Sequence, residues 1–409
     1  MGRNAARVLL AVGILAMAGR SAMAEETSYV DTHMHLHPVG LDAVMGQGGA
    51  RGAGMRASDG DRYMGRGHLP GRRGLRGPRG GGTVQAPAKR SDGPSNASGD
   101  IASGLAQAAD NLVAKMDREG VARALIVLVP SRWGTSEEVE RYTRSAVARH
   151  PDRLQLMAGG EVLNAMIQET SPKAVTEAMV RSFEDRAEAV IAGGATGFGE
   201  MISYHLCMTK GHNFQSAAAD HPLFLRLAEV AARRNVPIDL HMEAIETAMP
   251  LPERLGRSCD DNPSSLEATV PALERLLAHE RRARIVWQHI GWDNTGQMTP
   301  ALMQRLLKAH PNLYLSFRVV EIPEHARGAL SMPNRIVDEQ GRITAAWRAV
   351  IDSFPDRVMI GADEFVSPSD ATARLARSFD ATWSILGQLP SDAARQVGGE
   401  NAARVYRLK

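Results

Sequence analysis

The chain has 409 residues, of which 44% are hydrophobic, 23% charged and only 5% aromatic. That is enough apolar material for one large core, and α/β barrels commonly run to ~250 residues or more as a single domain. The charges nearly cancel, at a formal +2, so bulk electrostatics gives no reason to expect a nucleic-acid partner.

The first predicted element is a leader. Arg3 and Arg7 make a short basic start, an apolar run follows from Val8 to Ala18, and Ala22-Met23-Ala24 supplies a small-x-small cleavage pattern. This is how a secretory signal peptide reads, and the run falls short of the ~20 apolar residues that a membrane span needs. Residues 1–24 are therefore expected to be removed, leaving an exported protein, periplasmic or secreted, with no membrane span. The leader takes Arg3, Arg7 and Arg20 with it and no acid, so residues 25–409 carry a net charge of about −1.

The next element is a strand, predicted at Tyr29–His33 and running on through Met34 to His35. Residues two apart in an extended chain point to the same side. His33 and His35 therefore present two imidazoles together at the C-terminal end of the strand, a pair suited to Zn²⁺ or a similar borderline metal. His37 extends the alternation, but Pro38 follows it, so His37 reads as a loop residue that could orient a ligand.

Residues 46–100 have a different composition. Gly, Arg, Ser and Pro dominate, as in Gly71-Arg72-Arg73-Gly74 and Gly80-Gly81-Gly82, with almost no branched apolar residues. Such a segment cannot bury enough surface to offset its ordering entropy. It is expected to be a flexible, low-complexity insertion, a solvated loop before it is a contact for a membrane or a polyanion.

From Ile101 onward, short β-rich runs alternate with amphipathic stretches of helical period. Strands are predicted at Ala124–Val129, Leu154–Ala158, Thr196–Glu200, Pro237–His241, Arg284–His289, Leu313–Phe317 and Val358–Asp363. Helices are predicted near Leu105–Glu119, Ser136–His150, Lys173–Ala192, Pro222–Asn235, Leu266–His279, Pro300–His310, Thr344–Phe354 and Ala371–Leu386, with a last one from Ser391 to Tyr406. Strands alternating with helices imply parallel βαβ units, which right-handed crossovers close into a (β/α)8, or TIM, barrel. An open doubly wound sheet is the alternative, but no Gly-rich phosphate loop follows the first strand.

Ligand-type residues recur at the strand ends: Glu200 on the fourth, His241 on the fifth, His289 on the sixth and Asp363 on the eighth. A barrel gathers all of these ends around one mouth. Burying such groups without partners costs several kcal/mol each, a penalty that a bound cation removes. The following loops supply candidates for substrate recognition: Arg132, Trp133, Tyr204, Trp292 and Arg318, with His205 and His212 in a plausible lid. Arg318 could fork onto a substrate carboxylate, or pair with Glu321 at the surface. Cys207 and Cys259 lack metal-type spacing and read as structural, with their pairing left open.

Together, Asp31-Thr32-His33-Met34-His35, Leu240-His241, His289-Ile290-Gly291-Trp292 and Ile360-Gly361-Ala362-Asp363 resemble the amidohydrolase superfamily, within it the branch called amidohydrolase 2 or predicted TIM-barrel metal-dependent hydrolase. The closing Gly399-Glu400-Asn401-Ala402-Ala403-Arg404-Val405-Tyr406 also looks like that branch's final helix, so the resemblance covers nearly all of the chain beyond the leader and the insertion. It implies that His33, His35, His241 and Asp363 hold a first metal and that Asp363 is the general base toward a water the metal activates. His289 would bind a second metal or polarise a substrate carbonyl. Glu200 stands where many members carry a bridging carboxylated Lys or a Glu; alternatively it orients a ligand His.

The implied activity is metal-dependent hydrolysis of an amide, lactone or ester carbonyl. The implied cofactor is a divalent metal, Zn before Mn, as one ion or two, and the implied partner is a small-molecule substrate. The branch also holds nonoxidative decarboxylases similar to aminocarboxymuconate-semialdehyde decarboxylase, which share the pattern apart from the strand-four Glu; that reaction is the alternative. A non-catalytic envelope binding protein is a second one.

Overall fold

The computed structural model describes residues 29–38, 95–128, 136–208, 214–319, 332–371, 381 and 384–408. The expected leader, Arg132, Trp133, His212, Glu321 and most of the helix expected at Ala371–Leu386 lie outside these residues, as does nearly all of the Gly/Arg-rich segment.

Eight parallel strands form the frame: β1 (Tyr29–Leu36), β2 (Val121–Val127), β3 (Leu154–Gly159), β4 (Gly197–His205), β5 (Pro237–Met242), β6 (Arg284–Ile290), β7 (Leu313–Phe317) and β8 (Val358–Ile360). Each pairs with the next in chain order. The predicted eighth strand, Val358–Asp363, is in fact broken. The chain leaves the sheet at Ile360, steps over Gly361, Ala362 and Asp363, and resumes as Glu364–Val366, which pairs in parallel with β1. Both ends of the strand order thus belong to one stretch of chain, and the expected (β/α)8 barrel closes.

Helices α1 (Ser95–Glu119), α2 (Ser136–Val147), α3 (Glu177–Ala192), α4 (Pro222–Arg234), α5 (Val270–His279), α6 (Pro300–Ala309) and α7 (Ala345–Ser353) surround the strands. Each buries one apolar stripe, as α4 does with Leu223, Phe224, Leu227, Ala228 and Ala231. Local chemistry sets the ends. Pro222 opens α4, the His221 imidazole accepts from the Leu223 N–H, and Asn235 closes it in the left-handed region at φ 54°. Threonine caps start α3 and α6, with Thr176 accepting from Met179 N–H and Thr299 from Leu302 N–H. Helix α1 begins at Ser95, within the last residues of the stretch read as low-complexity. Ile101, Leu105, Ala108, Leu112 and Met116 recur at helical spacing and are buried, which anchors it.

Most apolar side chains pack between strands and helices. A smaller cluster joins Val30, Val127, Met157, Val286 and Met359 with Val405 and Tyr406 of the final helix α8 (Asn401–Tyr406). Strands this far apart in the order meet only inside the ring, so Val405 and Tyr406 of the last helix reach into the barrel interior. Among the described residues no helix is long and apolar enough to cross a membrane. Cys207 and Cys259 form a disulfide, with 5.9 Å between Cα atoms. Asn262 reinforces it, accepting from Cys207 N–H at 2.7 Å and donating to Cys207 O at 2.8 Å. The segment after β4 is thereby fastened to the segment after β5.

Candidate metal centre

One half of the centre is built by β1 and the break in the eighth strand. The Asp31 carboxylate accepts from His33 N–H at 2.9 Å, from Tyr29 Oη–H at 2.9 Å and from Ala362 N–H at 3.0 Å. The Asp363 N–H donates to His33 O at 2.8 Å. These bonds stitch β1 to the break and bring Asp363 against both imidazoles of the first strand. His33 Nε2 and His35 Nε2 face each other at 3.1 Å. Asp363 Oδ1 lies 3.3 Å from the His35 nitrogen and 3.9 Å from the His33 nitrogen. His35 Nδ1 sits 3.0 Å from Val127 O; a carbonyl only accepts, so Nδ1 carries the proton and the Nε2 lone pair faces the centre. Asp363 holds φ 54°, a left-handed conformation that Asp tolerates better than most side chains.

The other half is organised by Glu200. Its Oε1 accepts from His241 Nδ1 at 2.8 Å and from His289 Nε2 at 2.7 Å. Its Oε2 lies 3.7 Å from His33 Nε2. His289 Nδ1 is 3.5 Å from Asp363 Oδ2, so the two carboxylates and four imidazoles form one ring of contacts. The structure thus brings all six expected ligand residues together. They fall into two groups, His33 with His35 and Asp363, and His241 with His289 and Glu200, whereas the sequence reading placed His241 with His33, His35 and Asp363. His241 reaches the first group through Glu200 and not directly.

The donors fit a divalent cation. Two ligand atoms ~2.1 Å from a tetrahedral metal lie ~3.4 Å apart, and the His33, His35 and Asp363 atoms span 3.1 to 3.9 Å. The Glu200–His241–His289 group is hydrogen-bonded at 2.7–2.8 Å; to hold an ion, His241 Nδ1 and His289 Nε2 would each present a lone pair in place of the N–H. Burial lowers His33 to about 4, so it is a neutral imidazole at pH 7. For Glu200 burial alone would raise the pKa, but His33 and His241, with the hydrogen bonds from His241 and His289, hold it well below the usual range. Asp363 likewise overcomes burial, chiefly through the Arg318 guanidinium and then His289, His35 and His33.

A cleft opens beside the ring, with His241 and His289 in its wall. Trp292 and Arg318 line it as expected. Arg318 is buried; its guanidinium lies 4.0 Å from the centroid of the Trp292 ring and 2.6 Å from Asp363 Oδ2. It is therefore part of the centre and not a surface residue. Tyr204 does not reach the cleft; its ring packs edge-on against Phe214 at 5.4 Å, and His205 takes the place in the wall. Burial, then Glu243 and Glu267, push the Tyr204 phenol up to about 12. The sequence reading missed Glu243 and Asn294, which line the cleft and share a 2.7 Å hydrogen bond. Glu243 falls two residues beyond His241, so continuing the strand alternation would have found it.

Two further buried carboxylates lie one step back along the ligand strands. Burial raises Asp31 to about 7, against the hydrogen bonds from His33, Ala362 and Tyr29. Asp239 accepts from Tyr406 Oη–H at 2.7 Å and is pushed well above the carboxylate range by burial.

A model of the amidohydrolase family matches residues 30–408. The comparison with curated proteins gives no match. Among solved structures the chain is similar to 2,6-dihydroxybenzoate decarboxylase from Rhizobium, at 17% identity over 73% of this chain and 88% of that one, with a TM-score of 0.42. It is also similar to a probable 2-pyrone-4,6-dicarboxylic acid hydrolase from Acinetobacter baumannii, at 11% identity over 93% and 100% of the chains and a TM-score of 0.44. A third similarity is to dihydroorotase from Campylobacter jejuni, at 15% identity over 73% and 79% and a TM-score of 0.41.

Proposed function

Because the chain belongs to the amidohydrolase family, we propose that its centre takes two divalent cations and hydrolyses an amide, lactone or ester. The observation that carries this reading is the placement of Glu200, with Oε1 on His241 and His289 and Oε2 toward His33. That carboxylate is disposed to bridge. His33, His35, Asp363 and Glu200 Oε2 would hold one ion; Glu200 Oε1, His241 and His289 would hold the other. Mixed imidazole and carboxylate donors suit Zn, with Mn as the alternative. When bound, the cations supply Lewis acidity, which acidifies water and polarises a carbonyl oxygen.

The chain's own groups do the rest. Asp363 Oδ2 is the oxygen turned away from His33 and His35, and it would accept the proton of the attacking water. In the resting site that oxygen is covered by Arg318, so the guanidinium must turn to another anion first. A substrate carboxylate in the cleft supplies one, with the Trp292 face supporting the guanidinium. The protonated Asp363 would then pass that proton to the leaving group. The C–X bond breaks, water adds as hydroxyl and proton, and an acid and HX result. The disulfide suits an oxidising compartment, in keeping with export of the chain.

The Arg318–Asp363 pair also favours a second reading, nonoxidative decarboxylation. A permanently covered Oδ2 leaves no strong base, and that reaction needs none at Asp363: the bond to a carboxylate breaks, CO2 leaves and a proton takes its place. Elemental analysis of the purified protein beside an ester, lactone, amide and aromatic-acid screen separates the two. Two equivalents of Zn or Mn with hydrolysis support the main reading, and one equivalent with CO2 release supports the second. A metal-free protein that turns over nothing after metal loading would overturn both.

A further inference from the structure

Tyr406, near the C-terminal end of the chain, is 1% exposed and sits inside the barrel. Its hydroxyl donates to Asp239 Oδ1 at 2.7 Å and accepts from Gln288 Nε2 at 3.3 Å. Asp239 lies two residues before His241 on β5, and Gln288 immediately precedes His289 on β6. Asp239 Oδ2 and Gln288 Oε1 find no partner, whereas the phenol bonds both side chains and Gln288 also interacts with Asp239 directly. One hydroxyl from the last helix thus ties together the two strands that deliver imidazoles to Glu200 Oε1. The hydrogen bonds of Asp31 go elsewhere, to Tyr29, His33 and Ala362, and serve the His33–His35–Asp363 half alone.

We infer that Tyr406 is a positioning residue for the second cation: through Asp239 and Gln288 it sets the gap between His241 and His289 and leaves the first cation's ligands untouched. The inference rests on the two-cation reading above. Partners behind metal ligands typically shift affinity by ~10–100-fold when removed, and the selectivity between the two halves is what a general packing role would not produce.

The test is a zinc titration of the metal-free, full-length protein by calorimetry, with bound metal counted by elemental analysis. In Tyr406→Phe the weaker zinc class should loosen ~10–100-fold while the tighter class stays within about twofold of wild type. Asp239→Asn keeps an acceptor for the phenol and should retain the second class. If Tyr406→Phe does not fold, Gln288→Leu removes the other bond to the same hydroxyl and should show the same selective loss. Wild-type affinity at both sites in a folded Tyr406→Phe protein overturns the inference alone, as does an equal loss at both. A wild-type protein that takes up a single equivalent overturns the two-cation reading and the inference with it.

Discussion

Two pairs of buried carboxylates occupy successive levels of this barrel. Glu200 and Asp363 stand at the mouth, while Asp31 and Asp239 each lie two residues before a ligand histidine. All four lose their hydration. The mouth pair is nevertheless held far below the usual carboxylate range, and the deeper pair is driven above it, to about 7 for Asp31. The difference lies in their neighbours. Imidazoles and the Arg318 guanidinium surround the mouth pair; the deeper pair has phenols, an amide and backbone N–H groups. Burial alone therefore does not make a reactive carboxylate. Cationic company keeps one pair ionised and ready for a metal, and its absence lets burial raise the other pair.

Breaking the mouth pair should have the largest effect. Asp363→Asn should lower turnover by ~10³-fold or more while the thermal unfolding curve stays near wild type, because a ligand and a base are lost together. Wild-type rates in that variant would end the base assignment. Glu200→Gln should come next, costing one bound zinc by elemental analysis and ~10²-fold in turnover, since a neutral amide cannot bridge two ions. Arg318→Met should raise KM ~10–100-fold for carboxylate-bearing esters and leave neutral esters less affected, in line with the ~1.5–3 kcal/mol of a charged hydrogen bond; an equal effect on both ester classes would remove Arg318 from substrate recognition.

The deeper pair should respond in stability and not in turnover. The folded protein keeps Asp31 protonated up to about 7, whereas an unfolded Asp loses its proton near 3.8. Between those values the native state binds more protons, so this group costs stability as pH rises. Asp31→Asn removes that cost, so urea midpoints of the metal-free variant should gain on wild type from pH 5 to pH 8. A constant offset would show Asp31 to be ionised like its counterparts above.

The mouth was legible in the sequence because strand geometry carries it. Alternation pairs His33 with His35, and barrel closure brings the ends of β4, β5, β6 and β8 to the same place. What escaped depends on departures from regularity. The strand read as ending at Glu200 runs on to His205, with its register shifting between Phe198 and Met201 and again between Ile202 and Tyr204, so Tyr204 is a strand residue and His205 lines the cleft. The break after Ile360 is hidden in an apolar run, although Gly361 marks it: a Cβ there would meet Thr32 Oγ1 at 2.9 Å and Ser316 Oγ at 3.0 Å. The partner of Arg318, the 52-residue disulfide link and the reach of Tyr406 across 167 positions are contacts between distant segments. No local pattern encodes them.

Every amide proton in the gap of the eighth strand is spoken for. Gly361 N–H goes to Phe317 O, Ala362 N–H to the Asp31 carboxylate and Asp363 N–H to His33 O. Residue 363 is thus held in place by its main chain, independently of the side chain it carries. Asn, His and Gly accept the φ of 54° there, whereas Val or Ile would strain it. Swapping Asp363 for His should therefore retune the softness of the donor set, and with it the choice of ion, without moving the frame that presents it.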